Sequence, residues 1–257
     1  DDDDSADPDP DGDGYGEHCD LGADCDDAAP GIVGACQADG CPQGFALVAA
    51  GAFEMGCNQN DTCADSGNND ERPRSTVTLS ADYCIAVTEV SVGDFRGCVA
   101  ATTCDASPTE TTVDPWNNWS AAAGAREDHP LNAVTWWEAR DFCQTWMNGD
   151  LPTEAQWEKA ARGASDTRSY PWGDTAPTLC DECNWDLSGP GQAFGCNQVQ
   201  TSAGPATWEV GHLSGTAGDS PYGAKDLAGN VNEWVLDCYL ANVYDQCSPS
   251  CTDPVNT

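Results

Sequence analysis

The sequence predicts an α+β domain with little regular secondary structure, set behind an irregular acidic amino-terminal segment. Three observations predict it. Residues 45 to 90 carry short runs rich in β-branched and apolar residues, the composition of strands. Residues 91 to 164 hold three helix patterns with cap residues at their starts. Beyond residue 165 the chain is mostly Gly, Pro, Asp, Asn and Cys with scattered tryptophans, so regular structure is scarce there. The first 42 residues are nearly all Asp, Gly, Pro, Ala and Cys, with Tyr15 their only aromatic. Such a segment cannot build a hydrophobic core. The expected organisation is therefore a segment over 1–42 and a folded domain over 43–257.

The elements follow in order. "GFALVAAGAFEMG" (44–56) reads as a strand pair over 45–54 about a turn at Gly51. "STVTLSADYCIAVTEV" (75–90) reads as strand. "SVGDFRGCVAA" (91–101) is a short helix with Ser91 as N-cap and Asp94 in its first turn. "TWWEARDFCQTWMNG" (135–149) is a helix capped by Thr135, with Glu138 placed for a capping box and Gly149 as its stop. Ala139, Phe142, Cys143 and Trp146 fall on one face of it. "PTEAQWEKAARGA" (152–164) is a third helix, with Thr153 as cap and Gly163 as stop. Trp157 is expected in its core face, and Glu154 and Glu158 are expected to pair with Arg162, which stands four residues after Glu158. Trp116, Trp119, Trp136, Trp137, Trp172, Trp208 and Trp234 are expected to be core.

Charge and sulfur bound the function. The 257 residues include 44 acids against 9 bases, for a net charge of −35. Nucleic acid is excluded as a partner, because phosphate binding needs Lys and Arg. Divalent cations are the natural counter-charge to carboxylates that otherwise repel one another. Sixteen cysteines, enough for eight bridges, point to an oxidising compartment, extracellular or at the cell surface. The zinc-type CxxC is represented only by Cys180 and Cys183. No apolar run approaches the roughly 20 residues of a membrane span. The opening "DDDDSADPD" is expected to be the start of a mature, secreted product.

The acidic segment has its own pattern. "DPDGDGYGEHCD" (9–20) fits a twelve-position calcium loop. Asp9, Asp11 and Asp13 take positions 1, 3 and 5, Gly14 is the turn, and Tyr15 gives its carbonyl. Glu17 and Asp20 take positions 9 and 12. Asp rather than Glu at position 12, and no amphipathic helices alongside, exclude a helix-paired sensor. The registers starting at Asp7 and Asp9 are both open. The segment resembles the acidic metal-binding repeats of bacterial surface proteins, with Asp24, Asp26 and Asp27 in its second half.

From residue 44 to about 255 a series of motifs recurs in a familiar order. They are "FALVAAGAFEMG", "DERPRSTVTLSADYCIAVTEVSVGDF", "DHPLNAVTWWEARDFCQTW", "LPTEAQWEKAARG", "YPWGD" and "YGAKDLAGNVNEW". In content and spacing they resemble the sulfatase-modifying-factor family, which includes the formylglycine-generating enzymes. The resemblance implies a C-type-lectin-related α+β domain with bound calcium. It implies that Asp226 and Glu233 ligate Ca²⁺ by side chain and that Gly229 and Val231 do so by backbone carbonyl. It implies a second calcium site involving Asn184 and the carbonyl of Trp185. Oxygen donors of this kind suit a hard cation. Catalytic members of the family use two cysteines in a late "RGGSW" region to bind copper and activate oxygen, and that string is not in this sequence. The late Cys247 and Cys251 are expected to be disulfide partners. Cys84 and Cys143 occupy positions that in the family often pair with late cysteines. His18, His129 and His212 do not form a metal-ligand spacing, and no catalytic residue is assigned.

The expectation is a secreted or cell-surface, calcium-binding, disulfide-rich protein with a non-catalytic structural or binding role, such as that of a subunit of an extracellular filament. Its partners are calcium and either self-assembly or a carboxy-terminal partner fragment. The alternatives are a copper oxidase of the formylglycine-generating type, and a lectin-like ligand binder using loops around 105–125 and 186–220.

Overall fold

A computed structural model describes residues 30–32, 36–57, 72–104, 117–164, 168–177, 182–184, 207–212, 218–240, 247 and 250–256. Its elements are β1 (Phe45–Val48), β2 (Gly51–Met55), β3 (Ser75–Leu79), β4 (Tyr83–Ala86), α1 (Val92–Ala100), α2 (Trp136–Thr145), α3 (Glu154–Arg162) and β5 (Ser250–Thr252). The chain forms two compact units. The first comprises Asp1–Phe45, Thr88–Leu151 and Val199–Val210, and the second Ala46–Val87, Pro152–Gln198 and Gly211–Thr257. Short strands, three helices and long irregular stretches make this α+β with little regular structure, as expected.

In the first unit both helices begin with a reciprocal cap. Ser91 accepts from the Asp94 amide while Asp94 accepts from the Ser91 amide, and Thr135 and Glu138 do the same for α2. Each box satisfies two backbone donors that a helix start otherwise leaves without partners. The helices bury Val92, Phe95, Cys98 and Phe142 together with Trp119. Phe95 meets the Trp119 ring edge-on at 5.6 Å and lies 5.8 Å from Phe142. Arg96 lies over Trp119 at 4.4 Å and is held there by Glu127, at 2.7 and 2.9 Å. The end of the acidic segment joins this unit. Ile32 and Cys41 are buried, and the Gly31 amide donates to the Trp146 carbonyl at 2.9 Å. His129 of the "DHP" string sets its Nδ1 3.0 Å from the Thr207 hydroxyl. Helix α2 ends at Thr145, short of the expected Gly149, because Trp146 already acts as its C-cap.

In the second unit β2 pairs antiparallel with β3, Gly51 opposite Leu79 and Met55 opposite Ser75, and β5 runs parallel along the other edge of β3. Ser75, Val77 and Leu79 of β3 turn inward and Thr76 and Thr78 outward, the period of two that a pleated strand imposes. Phe53, Met55, Val77, Leu79 and Ala155 of α3 form the core. β1 and β4 form a separate two-stranded sheet. The strand pair expected over 45–54 is thus corrected: both strands exist, but each finds a distant partner instead of the other. The strand expected over 75–90 is two, parted at Ser80–Asp82, where the Ser80 amide donates to the Asp253 carboxylate at 2.7 Å. β5 was not foreseen.

Helix α3 is capped by Thr153 with Gln156 and stops at Gly163. Glu158 pairs with Arg162 at 2.9 Å and also accepts from the Gly56 amide at 2.8 Å. Lys159 is fully buried and donates to the carbonyls of Ala49 and Gly51 at 2.6 and 2.9 Å, so it fastens the link between β1 and β2 to the helix. Burial lowers its pKa. Two tryptophans expected in the core are corrected: Trp137 is 73% exposed and Trp234 50%. Among the described residues no helix is long and apolar enough to cross a membrane.

Candidate metal centre

The string from Tyr222 to Trp234 has no helix or strand period because its backbone repeatedly enters the left-handed region. Asp226, Gly229 and Asn230 have φ of 58°, 120° and 61°. Asp and Asn tolerate that region better than other non-glycine residues, since their short polar side chains bond locally. The approach to the string is a tight turn. The Gly223 amide donates to the Ser220 carbonyl at 2.9 Å, and the Ser220 amide to the Ala224 carbonyl at 2.8 Å. The Lys225 amide then donates to the Val87 carbonyl at 2.8 Å, fixing the chain just before Asp226.

Asp226 is buried, and its Oδ2 accepts from the Gly211 amide at 2.5 Å. Gly229 sits directly against Asn184: a Cβ there would collide with the Asn184 carbonyl. The Asn230 amide donates to that carbonyl at 2.7 Å, and the Asn184 side-chain Nδ2 donates to Asn230 Oδ1 at 3.2 Å. Glu233 Oε2 accepts from the indole N–H of Trp157 at 2.9 Å. Glu233 is exposed as a whole residue, while its carboxyl lies against the Trp157 indole and near Asp226, and these surroundings set its proton affinity. Desolvation raises its pKa to about 7, the charge of Asp226 adds to the rise, and the Trp157 bond opposes it. A carboxyl that is crowded by protein, reachable by solvent and pressed by a second carboxylate is one that a cation would relieve.

The far end of the string is tied to α3. The Leu236 amide donates to the Pro152 carbonyl at 2.8 Å, and Asp237 accepts from the Glu154 amide at 2.7 Å in the first turn. A carboxylate there also complements the helix dipole. α3 therefore positions the string twice, at its N-terminus through Asp237 and one turn later through Trp157.

Of the residues singled out in the sequence, Asn184, Asp226, Gly229 and Glu233 lie in this one region. Val231 lies in the same string. Trp185 and the amino-terminal Asp9, Asp11, Asp13, Tyr15, Glu17, Asp20, Asp24, Asp26 and Asp27 lie outside the described residues. Among the described residues no three His, Cys, Asp or Glu side chains come together; the region offers two carboxylates, with amide and backbone oxygens around them. Sequence reasoning missed the roles of Asn230 and Trp157. Trp157 was expected purely as core, although an indole N–H that is partly buried seeks an acceptor, and Glu233 supplies it.

The cysteines divide. Cys247 and Cys251 are bonded to each other, as expected, and so are Cys98 and Cys104. Cys36, Cys41, Cys57 and Cys84 are also disulfide-bonded. Among the described residues Cys143 and Cys238 carry free thiols. Burial raises the Cys143 thiol to a pKa of about 11.

Comparison with known proteins extends these features beyond the one site. Residues 35–253 match the model of the sulfatase-modifying factor enzyme 1-like domain. A formylglycine-generating enzyme of Thermomonospora curvata is 30% identical over 245 residues, covering 81% of this chain and 76% of that one. The inactive C-alpha-formylglycine-generating enzyme 2 of Bos taurus is 33% identical over 121 residues, covering 46% of this chain and 37% of its own length. Among solved structures, PvdO from Pseudomonas aeruginosa aligns with a TM-score of 0.55 at 19% identity, over 82% of this chain and 74% of that one, and so shares the fold. The chain belongs to the sulfatase-modifying factor enzyme 1-like domain family.

Proposed function

We propose that this chain is a calcium-binding, disulfide-braced member of its family with a structural or binding role outside the cytosol, and not a catalyst. The observation that carries the reading is the Asp226–Glu233 pair. Two carboxylates are held in a strained, glycine-dependent loop, one of them with its pKa raised by burial and by the other's charge. Calcium takes carboxylate, amide and carbonyl oxygens in irregular geometry, and Asp226, Glu233, Asn184 and the carbonyls of Gly229 and Val231 are donors of that class. Disulfides in the described residues and a net charge of −35 support an oxidising, calcium-rich setting. Self-association, up to a filament, supplies the partner in this reading, and sedimentation velocity in calcium against chelator measures it.

Calorimetric titration of chelator-stripped protein with Ca²⁺ tests the site. The parent protein is expected to give a saturable event that Asp226→Asn and Glu233→Gln each weaken by at least about tenfold. Equal binding by parent and both variants would remove these residues from the site.

A second reading rests on the name of the Thermomonospora relative, a formylglycine-generating enzyme. It asks for a thiol pair that binds copper. Against it stand the mutual bond of Cys247 and Cys251 and the half-buried, high-pKa thiol of Cys143, since the thiolate is the metal ligand. Oxygen consumption by copper-loaded protein with a thiol peptide would restore it.

A further inference from the structure

The solvent face of α2 combines an exposed aromatic plate with a fixed polar fork. Positions 136, 137, 140, 141 and 144 lie on one side of the helix, opposite Phe142, Cys143 and Trp146, which pack into the first unit's core. Trp137 is 73% exposed and stands edge-on to Trp136, with ring centroids 4.7 Å apart. The Arg140 guanidinium lies 5.2 Å from the Trp136 ring centroid. Its Nε and Nη2 donate to Asp150 Oδ1 and Oδ2, both at 2.9 Å, and Gln144 Nε2 donates to Asp150 Oδ2 at 3.0 Å. Asp141 is exposed one turn on from Trp137.

We propose that this face binds a neutral saccharide, with the Trp137 indole stacked on the C–H face of a sugar ring and Arg140, Gln144 and Asp141 serving its hydroxyls. This goes beyond the calcium reading and does not depend on it. Three points lead to it. First, an indole offers an apolar face of large area at little conformational cost, and one left bare beside polar groups suits a ligand that is apolar on one side and polar at its rim. Second, the fork is already ordered. Asp150 engages only part of the five-donor guanidinium and only the nitrogen of the Gln144 amide, so donors and an acceptor remain at positions fixed before a ligand arrives. Groups held in advance lose less freedom on binding. Third, charge selects the ligand class. A chain of net charge −35 repels phosphates, sulfated glycans and nucleic acid. A cationic peptide would be drawn to acids over the whole surface and would gain nothing particular from this face. A neutral polyol uses what this face has: a plate, a donor fork and a nearby carboxylate.

The test uses the full chain in calcium, with cellohexaose, N-acetylchitohexaose and maltohexaose as probes and poly-L-lysine as the cationic comparison. Binding is read by titration calorimetry and by tryptophan fluorescence. At least one oligosaccharide is expected to bind with a Kd between about 10 μM and 1 mM, unaffected by raising salt from about 0.05 to 0.5 M. Trp137→Ala should weaken that binding by at least about tenfold with an unchanged circular dichroism spectrum and melting point, Arg140→Ala should also weaken it, and Tyr239→Ala, at an exposed aromatic outside this face, should leave it intact. The proposal is overturned if none of the three binds at about 10 mM, or if Trp137→Ala binds as the parent does. It is equally overturned if only polylysine binds and salt abolishes that binding.

Discussion

At Glu233 two effects act on one proton. Burial among protein atoms and the neighbouring Asp226 charge raise the carboxyl's pKa from 4.5 to about 7, against the pull of the Trp157 indole. Between those values the folded chain holds a proton that the unfolded chain has released. Folding stability in chelator therefore falls as pH rises from about 4.5 through 7, and the loss is complete above that window. Glu233→Gln keeps an acceptor for Trp157 and removes the charge. In chelator its melting point should exceed the parent's at pH 8 and converge with it near pH 5; thermal melts at the two pH values check this. At Gly229 the constraint is steric. A methyl group would strike the Asn184 carbonyl at a φ of 120° that L residues rarely adopt. Gly229→Ala should cost at least about 1–3 kcal/mol in urea unfolding and weaken calcium binding with it. The sequence made this loop legible because glycine, asparagine and acids in an aperiodic string announce a shaped backbone. It did not reveal the Trp157 contact, which joins residues 76 positions apart, nor the exposure of Trp137, since an indole beside a helix cap reads as core until its face is known.

Helices and strands differ in how far their causes lie from them along the chain. Among the described residues the three helices begin with capping boxes, Ser91 with Asp94, Thr135 with Glu138 and Thr153 with Gln156. Each is a chemistry of four consecutive residues, so the starts were readable locally. The cap of α3 also bears on the site, because that helix holds Asp237 at its first turn and Glu233 through Trp157. Thr153→Ala should destabilise the chain by about 1 kcal/mol, and calorimetry should show a weaker calcium event in the same variant. Strand pairing is set elsewhere. β1 bypasses its neighbour β2 for β4, and β5 joins β3 from some 170 residues away, with Val77 opposite Cys251. β5 is three residues long beside a cysteine pair, too short to show a period of two, and was hidden for that reason.

For the whole molecule, charge and scarcity of regular structure set the problem. A net charge of −35 opposes compaction, and the described strands are at most five residues long. Disulfides restrict the unfolded chain, but they do not lessen the repulsion among carboxylates. A bound cation does lessen that repulsion, and it stabilises the state that holds it by RT ln(1 + [L]/Kd). The most direct measurement is the unfolding midpoint of disulfide-intact protein, by calorimetry at pH 7.5, in about 5 mM calcium and in excess EDTA, with bound metal counted by elemental analysis. The account predicts a midpoint higher by at least about 5 °C in calcium, calcium retained through dialysis, and a smaller gain for Glu233→Gln. An unchanged midpoint with no retained calcium would contradict it.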